Sequence, residues 1–440
     1  MAEAARQSGS VRKKTTGKIF PARPCGTLIT PRHPHAGFLL LPLAMVAATI
    51  CKGLLPATHG DEAYFWYADY AHGFIRRGLI GTMLALGLPA AQPAGSAVVT
   101  SCCLLLCGAG ILLMVRRAAA GQAMTGGALP LMLCAAAPLP GLMAYHLGYP
   151  DGFIALLVTA GGLALRRGAT LWAGATLIVA ALVHELALIL LMPMVAFSLC
   201  LRPDWTSKAR ICLVLCCGAG CMLVLEGAHP GEAALRDLAA RLVRAGIPPA
   251  IASDQVHRSL TQSLAGSLRV MHAMWSRNGP NCALGAAYAA WPGVLILALG
   301  WPALRQLPGH QAWRWACRAL YLAAGAGPLA TLALAFDVSR LASYTALTAL
   351  LALWQLPARP ARPLRPALAG LCVLTSTAYL AFPLLDIHPW YTRAINLAPI
   401  AAICPPCAGL GRASADFFNR ALPAAQRRGL DTDPAYGDAP

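Results

Sequence analysis

Residues 59–82 read His-Gly-Asp-Glu-Ala-Tyr-Phe-Trp-Tyr-Ala-Asp-Tyr-Ala-His-Gly-Phe-Ile-Arg-Arg-Gly-Leu-Ile-Gly-Thr. A carboxylate pair, Asp61 and Glu62, opens an aromatic segment that includes Tyr64, Phe65, Trp66, Tyr67 and Tyr70, and two adjacent arginines, Arg76 and Arg77, follow. On a helix of 3.6 residues per turn Asp61, Tyr64 and Ala68 share a face, and Phe65 and Asp69 lie nearer Glu62. A carboxylate can take the proton of an attacking hydroxyl. An aromatic ring such as Tyr64 or Trp66 can stack on a sugar or a lipid. A guanidinium can hold a phosphate through paired charge-assisted hydrogen bonds. Together these are the parts of a sugar transfer from a phosphate-linked donor. The competing reading is an interfacial aromatic belt flanked by solvated charges.

Other ionisable residues stand in unusual places. Asp151, in Tyr149-Pro150-Asp151-Gly152, is either a plain turn residue or a polar group between two apolar runs. His184 and Glu185 are adjacent inside an otherwise apolar stretch, where ionisable groups are expensive and default to function. Position 188 is Leu, so the pair is not a His-Glu-x-x-His zinc motif. Asp337 and Arg340 are three apart at a helix start, fitting an i,i+3 ion pair or a phosphate contact by Arg340. Asp386, His388, Tyr391 and Arg393 form a last small polar cluster, read as ordinary interface. Cys404 and Cys407 make a Cys-x-x-Cys with a Pro-Pro spacer, and no redox role, metal site or disulfide framework is assigned to them. No resident metal or cofactor is expected.

The chain that must position these groups has 440 residues, 58% of them hydrophobic and 12% charged. Average globular chains carry roughly 25% charged residues. The mean hydropathy is +0.58. Apolar runs lie near 37–57, 95–115, 126–147, 149–165, 170–201, 209–226, 283–303, 316–336, 341–356, 367–385 and 395–411. Runs of about 20 helical residues cross a hydrocarbon core of about 30 Å. This excludes a soluble enzyme and a nucleic-acid-binding domain. An outer-membrane barrel is excluded too, because its strands are short and alternate. The 170–201 run would be about 48 Å long as one helix, so it is expected to break near His184-Glu185 into two short helices. The fold class is therefore an all-α polytopic transmembrane bundle of about twelve spans.

Of the charged residues 35 are basic and 17 acidic, a net charge of +18. Cytoplasmic connections of membrane proteins collect Lys and Arg. With a basic tail at 1–36 placed in the cytoplasm, six successive inner connections are basic, from Arg116-Arg117 to the tail at 412–440. The membrane domain is then 37–411, with outer loops 58–94 and 227–282 and both termini cytoplasmic. Most of the acids that flank apolar helices fall on the outer side. In the second outer loop Leu235, Leu238 and Leu242, interleaved with Arg236, Arg241 and Arg244, predict an amphipathic helix on the membrane or over the site, and a second helix is expected over 253–275.

Gly-Asp-Glu-Ala-Tyr-Phe-Trp after a first membrane helix resembles the first outer loop of the GT-C glycosyltransferases, in the branch of protein O-mannosyltransferases and lipid A aminoarabinose transferases. The resemblance covers about ten residues and the general plan of many spans with an outer active side. The Arg76-Arg77 segment stands where that branch commonly has His-Pro-Pro. The resemblance implies that Asp61 (or Glu62) is the catalytic base. It also implies a sugar donor on a polyprenyl phosphate, a glycan, lipid or protein acceptor, and a role in the bacterial cytoplasmic membrane. The alternatives are a surface-polysaccharide polymerase, which uses similar parts, and a membrane transporter or flippase. A transporter would place its ions near the midplane, commonly with an inverted repeat.

Overall fold

The computed structural model describes residues 37–53, 64–72, 74–87, 108, 125–146, 149–202, 204–261, 263–335, 337–356, 366–395, 402 and 404–420. The described chain is helical except for connections and one two-stranded ribbon. In order, the helices are α1 (Gly37–Gly53), α2 (Tyr64–Tyr67), α3 (Leu79–Gly87), α4 (Thr125–Ala136), α5 (Pro138–Tyr145), α6 (Asp151–Arg167), α7 (Thr170–Val183) and α8 (Leu186–Leu201). There follow α9 (Trp205–Gly227), α10 (Glu232–Arg244), α11 (Pro249–Thr261), α12 (Leu264–Arg305), α13 (Gln311–Ala326), a 3-10 turn (Gly327–Ala333), α14 (Val338–Gln355) and α15 (Pro366–Ala381). Strands β1 (Leu385–Ile387) and β2 (Thr392–Ala394) pair antiparallel with Asp386 opposite Arg393, and α16 (Pro405–Asn419) ends the described chain.

Among the described residues three helical stretches are long and apolar enough to cross a membrane: Ala128–Tyr145, Trp205–Gly227 and Leu264–Arg305. Shorter apolar helices cover Leu41–Cys51, Thr170–Val183, Leu186–Leu201 and Pro366–Ala381. The apolar run expected at 95–115 lies outside the described residues.

The axis of the bundle is α14, buried along almost its whole length. Its small residues, Ala342, Ala346, Ala349 and Ala352, let neighbouring backbones approach, as in membrane helix packing. Its hydroxyls are satisfied locally: Ser343 Oγ donates to Arg340 O and Thr348 Oγ1 to Gly325 O. The second half of α12 lies beside it in the same direction, with Gly285 against Val338, Gly293 against the Thr345 backbone and Gly300 against Leu353. A Cβ at Gly293 would stand 2.6 Å from the Thr345 carbonyl carbon, so only glycine permits this approach. Helix α6 is parallel to α14 as well, since Asp151 meets Arg340 at one end and Arg166 meets Gln355 at the other.

The 170–201 run is two helices. Helix α7 stops at His184, whose backbone is extended (φ −164°, ψ 129°), and α8 starts after Glu185. Helix α12 differs from expectation. Ser263 caps it, with Oγ accepting from Gly266 N at 3.1 Å, and Glu226 accepts from Leu264 N at 2.8 Å. It then continues past a kink at Asn278 (φ −126°, ψ 23°) to Arg305. The helix expected over 253–275 is therefore the end of α11 and the start of α12.

The two ends of the bundle differ chemically. At one end arginines close the C-terminal carbonyls of helices: Arg166 Nη1 donates to Leu356 O at 3.1 Å and Arg202 Nη2 to Leu165 O at 2.6 Å. At the other end stand Asp151, Glu185, Asp337 and Asp386. Two expectations are corrected near the C-terminus. Asn419 lies beside β2, with Thr392 N donating to its Oδ1 at 2.7 Å and its Nδ2 donating to Thr392 O at 2.9 Å. A two-stranded ribbon leaves such edge groups needing partners, and Asn419 supplies them, so α16 returns to the acidic end instead of carrying residue 419 to the basic one. Cys404 and Cys407 form a disulfide at the start of α16, where a turn with Cys407 N on Cys404 O brings the two side chains together.

Candidate functional site

Each connection at the acidic end delivers one to three ionisable side chains. Asp151 is the first residue of α6, Glu185 immediately precedes α8, and Asp337 immediately precedes α14. Arg340 stands in the first turn of α14, and the ribbon carries Asp386, His388 and Arg393. Arg77 follows the aromatic segment with φ of +62°, the one positive φ outside glycine among the described residues. A β-substituted residue is held in this region only when its surroundings impose it.

Arg77 and Glu185 form an ion pair, with Arg77 Nε at 3.2 and 3.0 Å from the two carboxylate oxygens and its Nη2 on Oε1. Their side chains are 15% and 24% exposed, so the pair is more open to solvent than the Arg340–Asp151 pair at 10% and 5%. His184 Nδ1 accepts from Leu186 N at 3.1 Å, which fixes its proton on the other nitrogen and makes the ring a cap for α8. That contact gives His184 a structural role at the edge of the site.

Arg340 is held from two sides. Its Nη1 donates to Asp151 Oδ2 at 2.7 Å and its Nη2 to Asp337 Oδ2. The guanidinium also lies 4.1 Å from the centroid of Tyr149, and Tyr344 OH donates to Asp151 Oδ1 at 3.0 Å. The i,i+3 pair read from sequence is thus present, enlarged by a third partner from α6.

His388 stands between two carboxylates, with Nδ1 3.3 Å from Asp337 Oδ1 and Nε2 3.3 Å from Asp386 Oδ2. Burial works against its charged form, but Asp386 and Asp337 outweigh it and lift the imidazole above its ordinary 6.5. Asp386 is fully buried. Burial would raise its carboxyl, yet His388 and His146 around it hold it well below the usual range, and Arg393 Nη2 lies 3.1 Å from its Oδ2. Ser339 ties the ribbon to α14, donating to Asp386 Oδ1 at 3.4 Å while accepting from Ile387 N at 2.9 Å.

Aromatic rings join the Arg77 and Arg340 halves. Phe65 lies 5.6 Å from Tyr149 and 5.7 Å from His184, and the Arg77 guanidinium is 5.6 Å from the Phe65 centroid. Residues 77, 149–151, 184–185, 337–340 and 386–393 therefore make one continuous charged and aromatic site.

Helices α10 and α11 pack on the aromatic segment that enters this site. Leu235, Leu238, Leu242, Val256 and Leu260 form a cluster with Phe65, Ala68 and Ile75, bordered by Tyr67, Tyr70 and Tyr149. Two polar ties hold the pair down. Arg241 Nη1 bonds Asp69 Oδ2 at 2.6 Å, and Arg76 Nη2 donates to Leu260 O at 3.0 Å.

The candidates read from sequence separate accordingly. Arg77, Asp151, His184, Glu185, Asp337 and Arg340 meet. Arg76 is buried toward α11, and Trp66 packs at the junction between the main core and the α10–α11 cluster. Tyr64 opens α2, but its side chain, like Asp61 and Glu62, lies outside the described residues. The sequence reading missed His146 and Tyr344, named Tyr149 only within the Tyr149-Pro150-Asp151-Gly152 turn, and took the Asp386–Arg393 cluster as ordinary interface. The available signal was the polar residues ending apolar runs, His146 at one and Asp386 at another. Among the described residues no three His, Cys, Asp or Glu side chains are arranged to hold a metal ion. No protein-family model matches the chain, and no curated protein or solved structure matches it either.

Proposed function

We propose that this chain is an integral-membrane glycosyltransferase of GT-C-like architecture, with about twelve spans in a bacterial cytoplasmic membrane. It moves a sugar from a polyprenyl-phosphate-type donor to a hydroxyl of a glycan, lipid or protein on the outer face, in surface-glycan assembly. One observation carries the reading: five separate connections converge in one charged and aromatic site, and that site includes Phe65, four positions after Asp61 in the sequence. Three peptide units separate Asp61 from Tyr64, a reach of about 10 Å, and the next residue, Phe65, is part of the site.

In this mechanism Asp61 or Glu62 takes the acceptor proton as the hydroxyl oxygen attacks the anomeric carbon. The bond from that carbon to the phosphate oxygen breaks, its electron pair leaves with the phosphate, and the anomeric centre inverts. Arg77, the more exposed of the two central arginines, receives the phosphate in competition with Glu185. Arg340 and its carboxylates fix the floor of the site. Positioning and charge stabilisation supply the rate.

The test is transfer from a radiolabelled polyprenyl-linked sugar pool to the native acceptor. A general base contributes about 10² to 10⁴-fold, so Asp61→Asn is expected to lose at least 10²-fold in product with normal membrane expression, and Glu62→Gln less. Wild-type product from Asp61→Asn overturns Asp61 as the base and brings the transporter reading forward.

A further inference from the structure

The opposite end of the bundle holds a second cluster that the reaction does not use. Between Asp254 and Asp337 the chain has no acidic residue, yet Arg305, Arg314 and Arg318 all fall there, around the turn joining α12 to α13. The Arg318 guanidinium lies 4.9 Å from the Trp315 ring centroid and 5.9 Å from that of Trp301. Its Nε is enclosed and has no hydrogen-bond partner among the described residues. Two aromatic walls therefore hold a cation whose counter-charge the described residues do not supply.

Depth and surroundings say what that counter-charge is. Arg318 is seven residues into α13, about 10 Å from the helix start. Trp205 and Trp172, 81% and 72% exposed, stand in the first turns of α9 and α7 at this same end, and Trp315 is 55% exposed. Exposed tryptophans at helix ends mark the headgroup level of a bilayer. Leu322, one turn further along α13, is exposed and apolar. A ligand here meets a cation and indole faces at the headgroup level and an apolar helix surface below them. A phosphodiester carrying two acyl chains fits that gradient, whereas a soluble anion uses only its upper part.

We propose that Arg318, walled by Trp301 and Trp315, is a headgroup site for an anionic phospholipid. The proposal rests on the chain lying in a membrane and not on glycosyl transfer. Arg305 and Arg314 supply further positive charge at the rim. The competing explanation is an arginine that extends its side chain to water with no specific ligand.

Lipid titration of the purified full-length protein in detergent, read by native mass spectrometry, tests it. Phosphatidylglycerol is expected to bind at least tenfold more tightly than phosphatidylcholine. Arg318→Gln is expected to abolish that preference, and Arg210→Gln, which removes an exposed arginine of α9 at the same end, to keep it. Inorganic phosphate at equal concentration is expected not to displace the lipid. An undiminished preference in Arg318→Gln overturns the site, and displacement by inorganic phosphate overturns the lipid assignment. Should Arg318→Gln fail to fold, Trp315→Leu makes the same comparison on an exposed ring: a weakened preference supports the site, and an unchanged one overturns it.

Discussion

Arg77 and Glu185 are 108 positions apart in the chain and meet in a paired, charge-assisted contact. The pair joins the end of the aromatic segment to the break between α7 and α8, and it holds Arg77 in a left-handed conformation. Either member alone would be a partly buried charge without its counter-ion, and Arg77 would be left over the Phe65 ring.

Their dependence is measurable. Glu185→Leu strands Arg77 and is expected to destabilise the protein, and Arg77→Leu strands Glu185. The double variant is expected to recover part of the loss, with a coupling of about 1 to 3 kcal/mol in thermal unfolding followed by tryptophan fluorescence. Additive losses would show that the two side chains do not support each other.

The α10–α11 pair is tied to the aromatic segment by Arg241–Asp69 as well as by its leucines. A partly exposed ion pair contributes about 0.2 to 1 kcal/mol. Asp69→Ala is therefore expected to raise amide hydrogen exchange up to about fivefold in 232–261 and 64–75 together. Exchange in α14 should stay unchanged. Acceleration spread over the whole bundle would mean that the tie supports global stability instead.

His388 gives a pH dependence with a definite sign. Asp386 and Asp337 flank it, and Arg393, His146 and Tyr391 are the other ionisable groups around it. Its folded value is raised above 6.5, so its contribution is complete below that pH and is lost as pH rises through the folded value. Each unit of the shift corresponds to about 1.4 kcal/mol. Between pH 6 and pH 9 the wild type is expected to lose melting temperature relative to His388→Gln. Parallel profiles for the two proteins would remove His388 from the balance.

The proposed sidedness, which rests on the basic connections of the sequence, is testable in the same way. Reporter fusions at residue 30 and after Gly231 are expected to give opposite signals, cytoplasmic and periplasmic. Because Asn419 is bonded to β2, a fusion after Arg420 is expected to match the one after Gly231. A cytoplasmic signal after Arg420 would place α16 across the bilayer.

Much of this arrangement was legible in the chain. An apolar run too long for one crossing, with two ionisable residues at its middle, marked the α7–α8 break. The spacing of Leu235, Leu238 and Leu242 marked the buried face of α10. Neither signal says which distant connection a residue will meet. That Tyr149 underlies Arg340 depends on α6 and α14 running in parallel, and the glycine and alanine positions that allow this carry no partner information of their own. His388 looked like interface because its two carboxylates come from separate connections. The return of α16 depends on a need for hydrogen bonds at the edge of a ribbon whose strands are only three residues long.

The three acids that precede or begin helices have a further consequence. Glu185, Asp337 and Asp151 stand at the starts of α8, α14 and α6, and all three helices begin at the level of the site. Each helix start carries about half a positive elementary charge from its aligned peptide dipoles. Asp151, Glu185, Asp337 and Asp386 stand against Arg77, Arg340 and Arg393, with His388, whose imidazole is lifted above its ordinary 6.5, between two of the carboxylates. The backbone adds a positive field that no substitution of one side chain removes. That field biases the site toward anions even when its arginines are occupied.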